Sequence, residues 1–290
     1  MKARFFQLPP VAFVRGVADT YGHLGVARAA ASLAYFLILT LFPLLMCVNY
    51  FIGLLELDPE AVFSALDSIL PRESLSAILD YLTYVSGIPQ GQSTPLFLAS
   101  LFTILLSASA GLRTLLKTMD ELYGVRHTSS LRRLAVSLVL SLLFLLTIYL
   151  SIVVIFTGDW FFHFLEAHLP APVLELVPLA LLSGIWGRLR YLVLFFFVLL
   201  LVLSVYHLGT PSPLRREKKV LRLTALLSAA ALVACSVLFS WFIGMTSRYS
   251  LVYGSLASLI VLLVWLYFCG NILLLGAVAG RVWFRRREEP

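Results

Sequence analysis

Six long runs of apolar residues, almost free of Asp, Glu, Lys and Arg, constrain the fold of this chain more than any other feature. A helix needs about 20 apolar residues to cross the hydrocarbon core of a bilayer. The runs lie at residues 29–55, 95–116, 134–157, 191–208, 223–245 and 251–280. They predict an all-α, polytopic membrane protein, a bundle of six transmembrane helices that we number as spans one to six. Residues 1–290 are then a single integral membrane domain.

The amino-acid composition excludes an ordinary soluble protein. Hydrophobic residues make up 60% of the chain and charged residues only 13%. Soluble domains are about 45–50% apolar and about 25% charged. Three cysteines among 290 residues are also too few for a disulfide-stapled scaffold.

The basic residues fall mainly before span one, between spans two and three, between spans four and five, and after span six. Eighteen of the 22 Lys and Arg residues lie in these four segments. Cytoplasmic loops of membrane proteins carry the excess of positive charge, so we expect both termini to be cytoplasmic. The net charge of +7 is then explained by topology and by attraction to anionic lipids. Membrane lipids are therefore the expected partners, and nucleic acid is not.

The segments between the spans carry two weaker helical patterns. Residues 56–94 predict an external segment of short amphipathic helices, broken at Pro71. Residues 173–186 are apolar but only 14 residues long and contain Glu175, which favours an interfacial or re-entrant helix. Near the N-terminus, apolar residues recur at helical spacing at Val11, Val14, Val17 and Tyr21.

Short motifs in and near the spans carry a family resemblance. Span one reads AASLAYF from Ala30 and then Leu41-Phe42-Pro43, and span six reads Tyr253-Gly254-Ser255, then LVWLY with Trp265, then LLGA with Gly276. Tyr206 followed by Pro211, and LYGV from Leu122, add to the pattern. Over nearly the whole chain these motifs resemble the YihY/BrkB family.

The resemblance implies a six-helix protein of the bacterial inner (plasma) membrane with both termini inside and a poorly defined activity. The family has carried a ribonuclease BN label, and lipid-related transport has been proposed for some members. Two positions depart from the pattern: Val278 stands where an acidic residue is frequent, and Thr40 where a serine is common. A mechanism that needed that carboxylate would not apply to this chain.

Polar side chains inside the spans are the first candidates for a functional site. Asn49 and Asn271 are the most polar, and an amide in hydrocarbon needs partners or a wet cavity. Asn49 shares a helical face with Tyr35, and Pro43 is expected to bend span one because it lacks an N–H. Each asparagine either lines a cavity or forms a structural hydrogen bond between helices.

Two helical faces are rich in small or hydroxylated residues, each within an arc of about 80° at 100° per residue. On span six these are Gly254, Ser258, Trp265, Cys269, Gly276 and Gly280, and on span two Ser100, Thr103, Ser107, Gly111 and Thr114. Small residues let helices pack closely in membranes. The alternative is a substrate path, with hydroxyl groups lining a wet cavity.

Charged residues lie at the ends of the spans rather than inside them, which weakens the case for a proton-coupled carrier. Arg188 and Arg190 at the external start of span four either bind phosphate headgroups or anchor the helix. Further headgroup candidates on the cytoplasmic side are Arg215, Arg216, Lys218 and Lys219.

No motif for an enzyme or a cofactor is present. His163 and His168 lie five residues apart, so they do not share a helical face as a metal-binding pair would, and we expect no metal and no cofactor. The first hypothesis is therefore transport or accommodation of a lipid-like amphiphile. The alternative is a structural or assembly protein that binds a homo-oligomeric or membrane-protein partner through the face of Gly276 and Gly280. A membrane-tethered enzyme ranks last.

Overall fold

The structure is a computed structural model, and it describes residues 9–54, 90–125, 129–168, 179–210, 218–245 and 256–288. These residues form helices and contain no strand. The helices are α1 Pro9–His23, α2 Val26–Leu39, α3 Leu41–Leu54, α4 Gln90–Leu122, α5 Ser130–His168, α6 Leu179–Gly209, α7 Lys218–Met245 and α8 Leu256–Glu288.

Six helical segments are long and apolar enough to cross a membrane. They are Val26–Cys47, Thr94–Leu122, Ser130–Ser151, Ser183–Gly209, Lys219–Phe239 and Leu259–Arg285. The predicted all-α membrane fold with six spans is confirmed. Helices α4 to α8 contain 28 to 39 residues, about 42–58 Å at 1.5 Å per residue, so each extends beyond a hydrocarbon core of about 30 Å.

The predicted start of span two at Pro95 agrees with the membrane-length segment that begins at Thr94. Helix α4 itself begins at Gln90 and contains Pro95, so residues 90–94 extend the helix beyond that segment; residues 56–89 lie outside the described residues. The predicted start of span four is wrong. Helix α6 begins at Leu179, directly after Pro178, and runs unbroken to Gly209. Residues 179–186 are thus part of span four and not a separate interfacial or re-entrant helix, whereas residues 173–178 lie outside the description.

Span four was predicted too short because glycine and arginine lower its local hydropathy without breaking the helix. Gly184 and Gly187 each cost about 1 kcal/mol in helix propensity relative to alanine, and Arg188 and Arg190 are good helix formers. All four lie inside α6.

Span one is divided into α2 and α3 at Thr40. The Thr40 amide donates to the Leu37 carbonyl at 3.0 Å, and the Thr40 hydroxyl donates to the same carbonyl at 2.6 Å. Pro43, three residues later, has no N–H to offer the preceding turn. Span one is therefore interrupted at Thr40, three residues before Pro43, where the sequence predicts a bend.

The six spans form a closed ring in chain order. Helices α4 to α8 each contact their neighbours in the chain, and α2 contacts both α4 and α8. Helix α3 packs on α4, and α1 packs on α8 and α2. The first span thus closes the ring against the last.

The helix ends that are rich in Lys and Arg lie at one end of the ring, which we call the basic end. The beginnings of α2, α5 and α7 and the ends of α4, α6 and α8 meet there, as shown by the core that they share: Val26, Met119, Leu140, Val205, Ala225 and Val278. Described basic side chains near it are Arg28, Arg132, Arg133, Lys219, Arg222, Arg281 and Arg285.

Burial is also concentrated toward the basic end. In spans three to six the fully buried residues within the described ranges are Ser137, Leu140, Ser141, Val202, Val205, Tyr206, Gly209, Ala225, Ser228, Ala229, Gly270, Leu274, Ala277 and Val278. The described residues of these spans that lie farther from the basic end are half-buried or exposed. Among the described residues, spans three to six are therefore packed tightly at the basic end and loosely toward the other, whereas spans one and two also bury Thr40, Cys47 and Ile104.

Candidate functional site

A buried tyrosine joins three spans near the basic end. The Tyr206 hydroxyl donates to the Leu273 carbonyl at 2.7 Å and lies 2.8 Å from the Ser228 hydroxyl. Because the single tyrosine proton is used on Leu273, Ser228 is the donor in the second bond. Tyr206 is only 2% exposed. We call Tyr206, Ser228, Gly276 and the Leu273 carbonyl the Tyr206 cluster; it ties α6, α7 and α8 together.

Gly276 has no side chain, and this leaves space for the two hydroxyl groups of the cluster. A Cβ atom at Gly276 would overlap the hydroxyl groups of Tyr206 and Ser228. One turn further along α8, a Cβ at Gly280 would lie 3.1 Å from Cγ2 of Thr224. The face of Gly276 and Gly280 is thus occupied by α6 and α7 of the same chain, and it is not available to a partner protein.

Other close contacts between helices also depend on small residues. A Cβ at Gly111 would lie 3.1 Å from Leu33 and from Phe36, and one at Gly270 would lie 3.2 Å from Ala30. Gly111 is among the predicted packing residues, whereas Gly270 lies off the predicted face of span six. Gly270 brings the first and sixth spans together and so helps to close the ring.

The hydroxylated face of span two separates into packing and surface positions. The Ser107 hydroxyl donates to the Phe36 carbonyl of span one at 2.9 Å. The Thr103 hydroxyl is exposed and bonds only to the Ala99 carbonyl of its own helix. Ser100 is half-buried. Ser109, which the sequence analysis did not select, meets Ser137 of span three at 2.7 Å.

The two asparagines and Tyr35 have different surroundings. Asn271 accepts a hydrogen bond from the Tyr21 hydroxyl at 2.6 Å and donates to the Tyr267 carbonyl at 2.8 Å, so its amide fastens α1 to α8. Tyr35 is 55% exposed and does not line a described cavity. Asn49 lies on α3, and its side chain is outside the described part.

Helix α1 is docked along α8 by contacts on either side of this bond. The Phe13 and Trp283 rings meet edge to face with centroids 6.0 Å apart, and a Cβ at Gly16 would lie 3.2 Å from Val282. Burial raises the pKa of the Tyr21 hydroxyl, and the neighbouring Tyr267 adds to this rise. Tyr21 therefore remains a protonated donor to Asn271 at neutral pH.

Two small cavities flank Thr210 at the basic end. One, of about 30 Å³, is lined by Tyr123, Tyr206, Thr210, Val220, Leu221, Thr224, Ala277, Gly280, Arg281 and Phe284. The other, of about 40 Å³, adjoins the ion pair of Arg133 with Asp120, in which both Nη2 and Nε donate to Oδ2, at 2.8 and 3.2 Å. A water needs about 10–15 Å³ of such space. Each cavity therefore has room for two or three waters and not for a lipid.

One face of span four and one face of span six are buried near the basic end and become exposed toward the other end of the ring. Tyr191 lies eleven residues, about three turns, before Val202 and shares its face, yet Tyr191 is 64% exposed and Val202 only 2%. Leu263 lies about two turns before the buried Gly270 and is 39% exposed. The faces that build the core at the basic end are thus uncovered in the opposite half.

The predicted headgroup residues lie at both ends of the ring. At the open end Arg188 is exposed, and the Arg190 guanidinium lies 5.2 Å from the centre of the Tyr191 ring. At the basic end Lys219 is exposed and Lys218 begins α7. Arg215 and Arg216 lie outside the described residues.

Comparison of the sequence with known proteins identifies a family. The sequence model described as "Virulence factor BrkB" matches residues 17–289. The chain belongs to the BrkB family. It is also 25% identical over 279 residues, 92% of this chain and 93% of the relative, to "Putative ribonuclease-like protein YfkH" of Bacillus subtilis (strain 168). No solved structure matches.

Family membership confirms the resemblance read from the motifs, and the structure gives several motif residues a role in this BrkB-family chain. Tyr206 and Gly276, far apart in sequence, meet in one cluster. Trp265 donates from Nε1 to the Ser236 hydroxyl at 3.2 Å and joins spans five and six. Phe42 and Pro43 lie on α3 and Ser258 on α8; Pro211, Tyr253 and Gly254 lie outside the described residues.

Within the described ranges, no three His, Cys, Asp or Glu side chains are grouped so that they could hold a metal ion. The features of the described bundle that bear on function are the Tyr206 cluster, the two water-sized cavities beside it, and the faces of spans four and six that are exposed toward the other end.

Proposed function

We propose that this BrkB-family protein is a non-enzymatic membrane protein that accepts a lipid-like amphiphile in the loosely packed half of its ring and moves it across the membrane. The observation that carries the proposal is the change in exposure along single helical faces. Tyr191 and Leu263 are exposed on the same faces that bury Val202 and Gly270. An apolar helix face that is not covered by protein suits the acyl chains of an amphiphile.

The charges at the open end suit a phosphate headgroup. On α6, Arg190 directly precedes Tyr191, and Arg188 lies about one turn before Tyr191, farther from the core. Guanidinium groups bind phosphate through paired hydrogen bonds. A headgroup held there would leave its acyl chains free to lie along the uncovered faces of spans four and six.

The Tyr206 cluster supplies the closed end that such a pathway requires. Carriers open to one side of the membrane at a time, and the basic end is closed by hydrogen bonds among α6, α7 and α8. We also propose that the protein lies in the bacterial inner membrane with both termini and the basic end in the cytoplasm, as the excess of Lys and Arg there favours. The open half then faces the outer leaflet of that membrane.

The test uses two leucines of α8 that differ in the face they occupy. Leu263 is 39% exposed on the face of Gly270, and Leu275 is 41% exposed at about 140° from Gly270 around the helix. The assay is translocation of fluorescent phospholipid in liposomes that contain the purified full-length protein. We expect Leu263→Trp to lower translocation to the level of empty liposomes by filling the exposed part of that face, and Leu275→Trp to leave translocation unchanged.

Equal translocation by Leu263→Trp and the unchanged protein would contradict the proposed route. Translocation no faster than in empty liposomes, by protein that elutes as a single folded species, would contradict the proposed activity.

A further inference from the structure

Arg281 occupies an unusual position at the basic end. It is half-buried on α8 and borders the smaller cavity, where its guanidinium lies 5.9 Å from the centre of the Tyr123 ring. The ion pairs in the described part of the chain are Arg15 with Asp19 and Arg133 with Asp120. No described carboxylate thus neutralises Arg281, although burial of an arginine favours an anionic partner.

The hydroxyl groups around the cavity differ in whether they can donate to an anion. The Tyr206 proton is used on the Leu273 carbonyl, and the Thr224 hydroxyl donates to carbonyls of its own helix at 3.0 and 3.1 Å. Tyr123 instead accepts from Thr210 at 3.5 Å, which leaves its own proton for another acceptor. Burial raises the pKa of the Tyr123 hydroxyl, against the smaller lowering effects of Thr210 and Arg281, so that proton is present at neutral pH.

The cavity also lies at the depth where lipid headgroups begin. The apolar segment of span two ends at Leu122, and Tyr123 directly follows it. The apolar segment of span six ends at Arg285, and Arg281 lies one turn before that end. About 30 Å³ gives two water-sized positions beside the guanidinium. Two phosphate oxygens would fill these positions, with the rest of the headgroup outside the cavity.

We propose that this cavity binds a phosphate group, with the Arg281 guanidinium and the Tyr123 hydroxyl as donors. Basic pockets between transmembrane helices on the cytoplasmic side bind anionic headgroups in this way. The phosphate belongs either to an anionic phospholipid of the adjacent leaflet or to a free phosphate ion. Asp120, the carboxylate on the other side of Thr210, is neutralised by Arg133 and does not oppose the anion. The site is independent of the proposed transport route, since it lies at the opposite end of the ring.

The experiment compares three variants of the full-length protein in detergent by native mass spectrometry, with phosphatidylglycerol, with phosphatidylcholine and with inorganic phosphate. Arg281→Gln removes the proposed charge, and Tyr123→Phe removes one donor while keeping the ring beneath Arg281. Arg285→Gln is the matched control, because Arg285 is an exposed arginine one turn away on the same helix and does not line the cavity.

We expect phosphatidylglycerol to bind about tenfold more weakly to Arg281→Gln, since charged hydrogen bonds to phosphate are strong. Tyr123→Phe should weaken phosphatidylglycerol binding less, and Arg285→Gln should retain it.

Binding of inorganic phosphate with the same dependence on Arg281, but no preference between the two lipids, would support the site and identify the free ion as its ligand. Equal weakening by Arg281→Gln and Arg285→Gln would overturn the proposal, because it would indicate attraction to surface charge alone. Unchanged binding in Arg281→Gln would overturn it as well.

Discussion

At the scale of single residues, Gly276 is the position where the smallest change should have a large effect. We expect Gly276→Ala to lower the free energy of unfolding by about 1–3 kcal/mol, the range for overpacking a buried contact, because its Cβ would displace the Tyr206 and Ser228 hydroxyls. Gly184→Ala is the control, since nothing lies within 4 Å of a Cβ there. Unfolding of both variants in detergent is the measurement; equal stability of the two would contradict this role of Gly276.

The sequence predicted part of this cluster. Gly276 was selected because small residues recur on one face of span six, and Tyr206 because it belongs to a family motif. Ser228 was not selected, since one serine in an apolar span has no pattern of its own. Gly270 was missed for a related reason: its contact with Ala30 depends on how two helices cross, and that geometry is not encoded in the periodicity of either helix.

At the scale of helices, the break in span one is held by a neighbour. The Ser107 hydroxyl of α4 donates to the Phe36 carbonyl in the last turn of α2, just before Thr40. We expect Ser107→Ala to lower the free energy of unfolding by about 0.6–1.7 kcal/mol, the range for hydrogen bonds between membrane helices. Thr103→Val should have no effect, because the Thr103 hydroxyl is exposed and bonds within α4. A loss in both variants, measured by unfolding in detergent, would refute the distinction.

Prediction from the sequence was strongest at this scale, and its errors have one cause. Six spans follow from hydropathy and length. The start of span four was misplaced because hydropathy measures where a helix is apolar and not where it ends. A helix continues past the hydrocarbon core into polar surroundings as long as no residue breaks it.

For the whole molecule, the closed ring is the feature that the sequence could not predict. Any order of six antiparallel helices satisfies the hydropathy pattern and the distribution of basic residues. The order of the helices around the ring is fixed by contacts between residues that are distant in sequence. Two of these contacts join the first and last parts of the chain: Ala30 with Gly270, and Tyr21 with Asn271. Because the ring closes there, separation of spans one and six would open the bundle to the lipid.

A disulfide tests that closure directly. A Cβ at Gly270 would lie 3.2 Å from the Ala30 Cβ, slightly below the spacing of about 3.5–4.5 Å in disulfides. In a chain whose Cys47, Cys235 and Cys269 are replaced by alanine, we expect Ala30→Cys with Gly270→Cys to form a disulfide on oxidation. A protease site inserted within residues 211–217 provides the readout, because the two fragments then stay together on a non-reducing gel only if spans one and six are linked. Gly187→Cys with Gly270→Cys is the control, since these positions lie on different fragments and no atom lies within 4 Å of a Cβ at Gly187. Fragments that separate in both pairs would mean that the ring is open between its first and last spans.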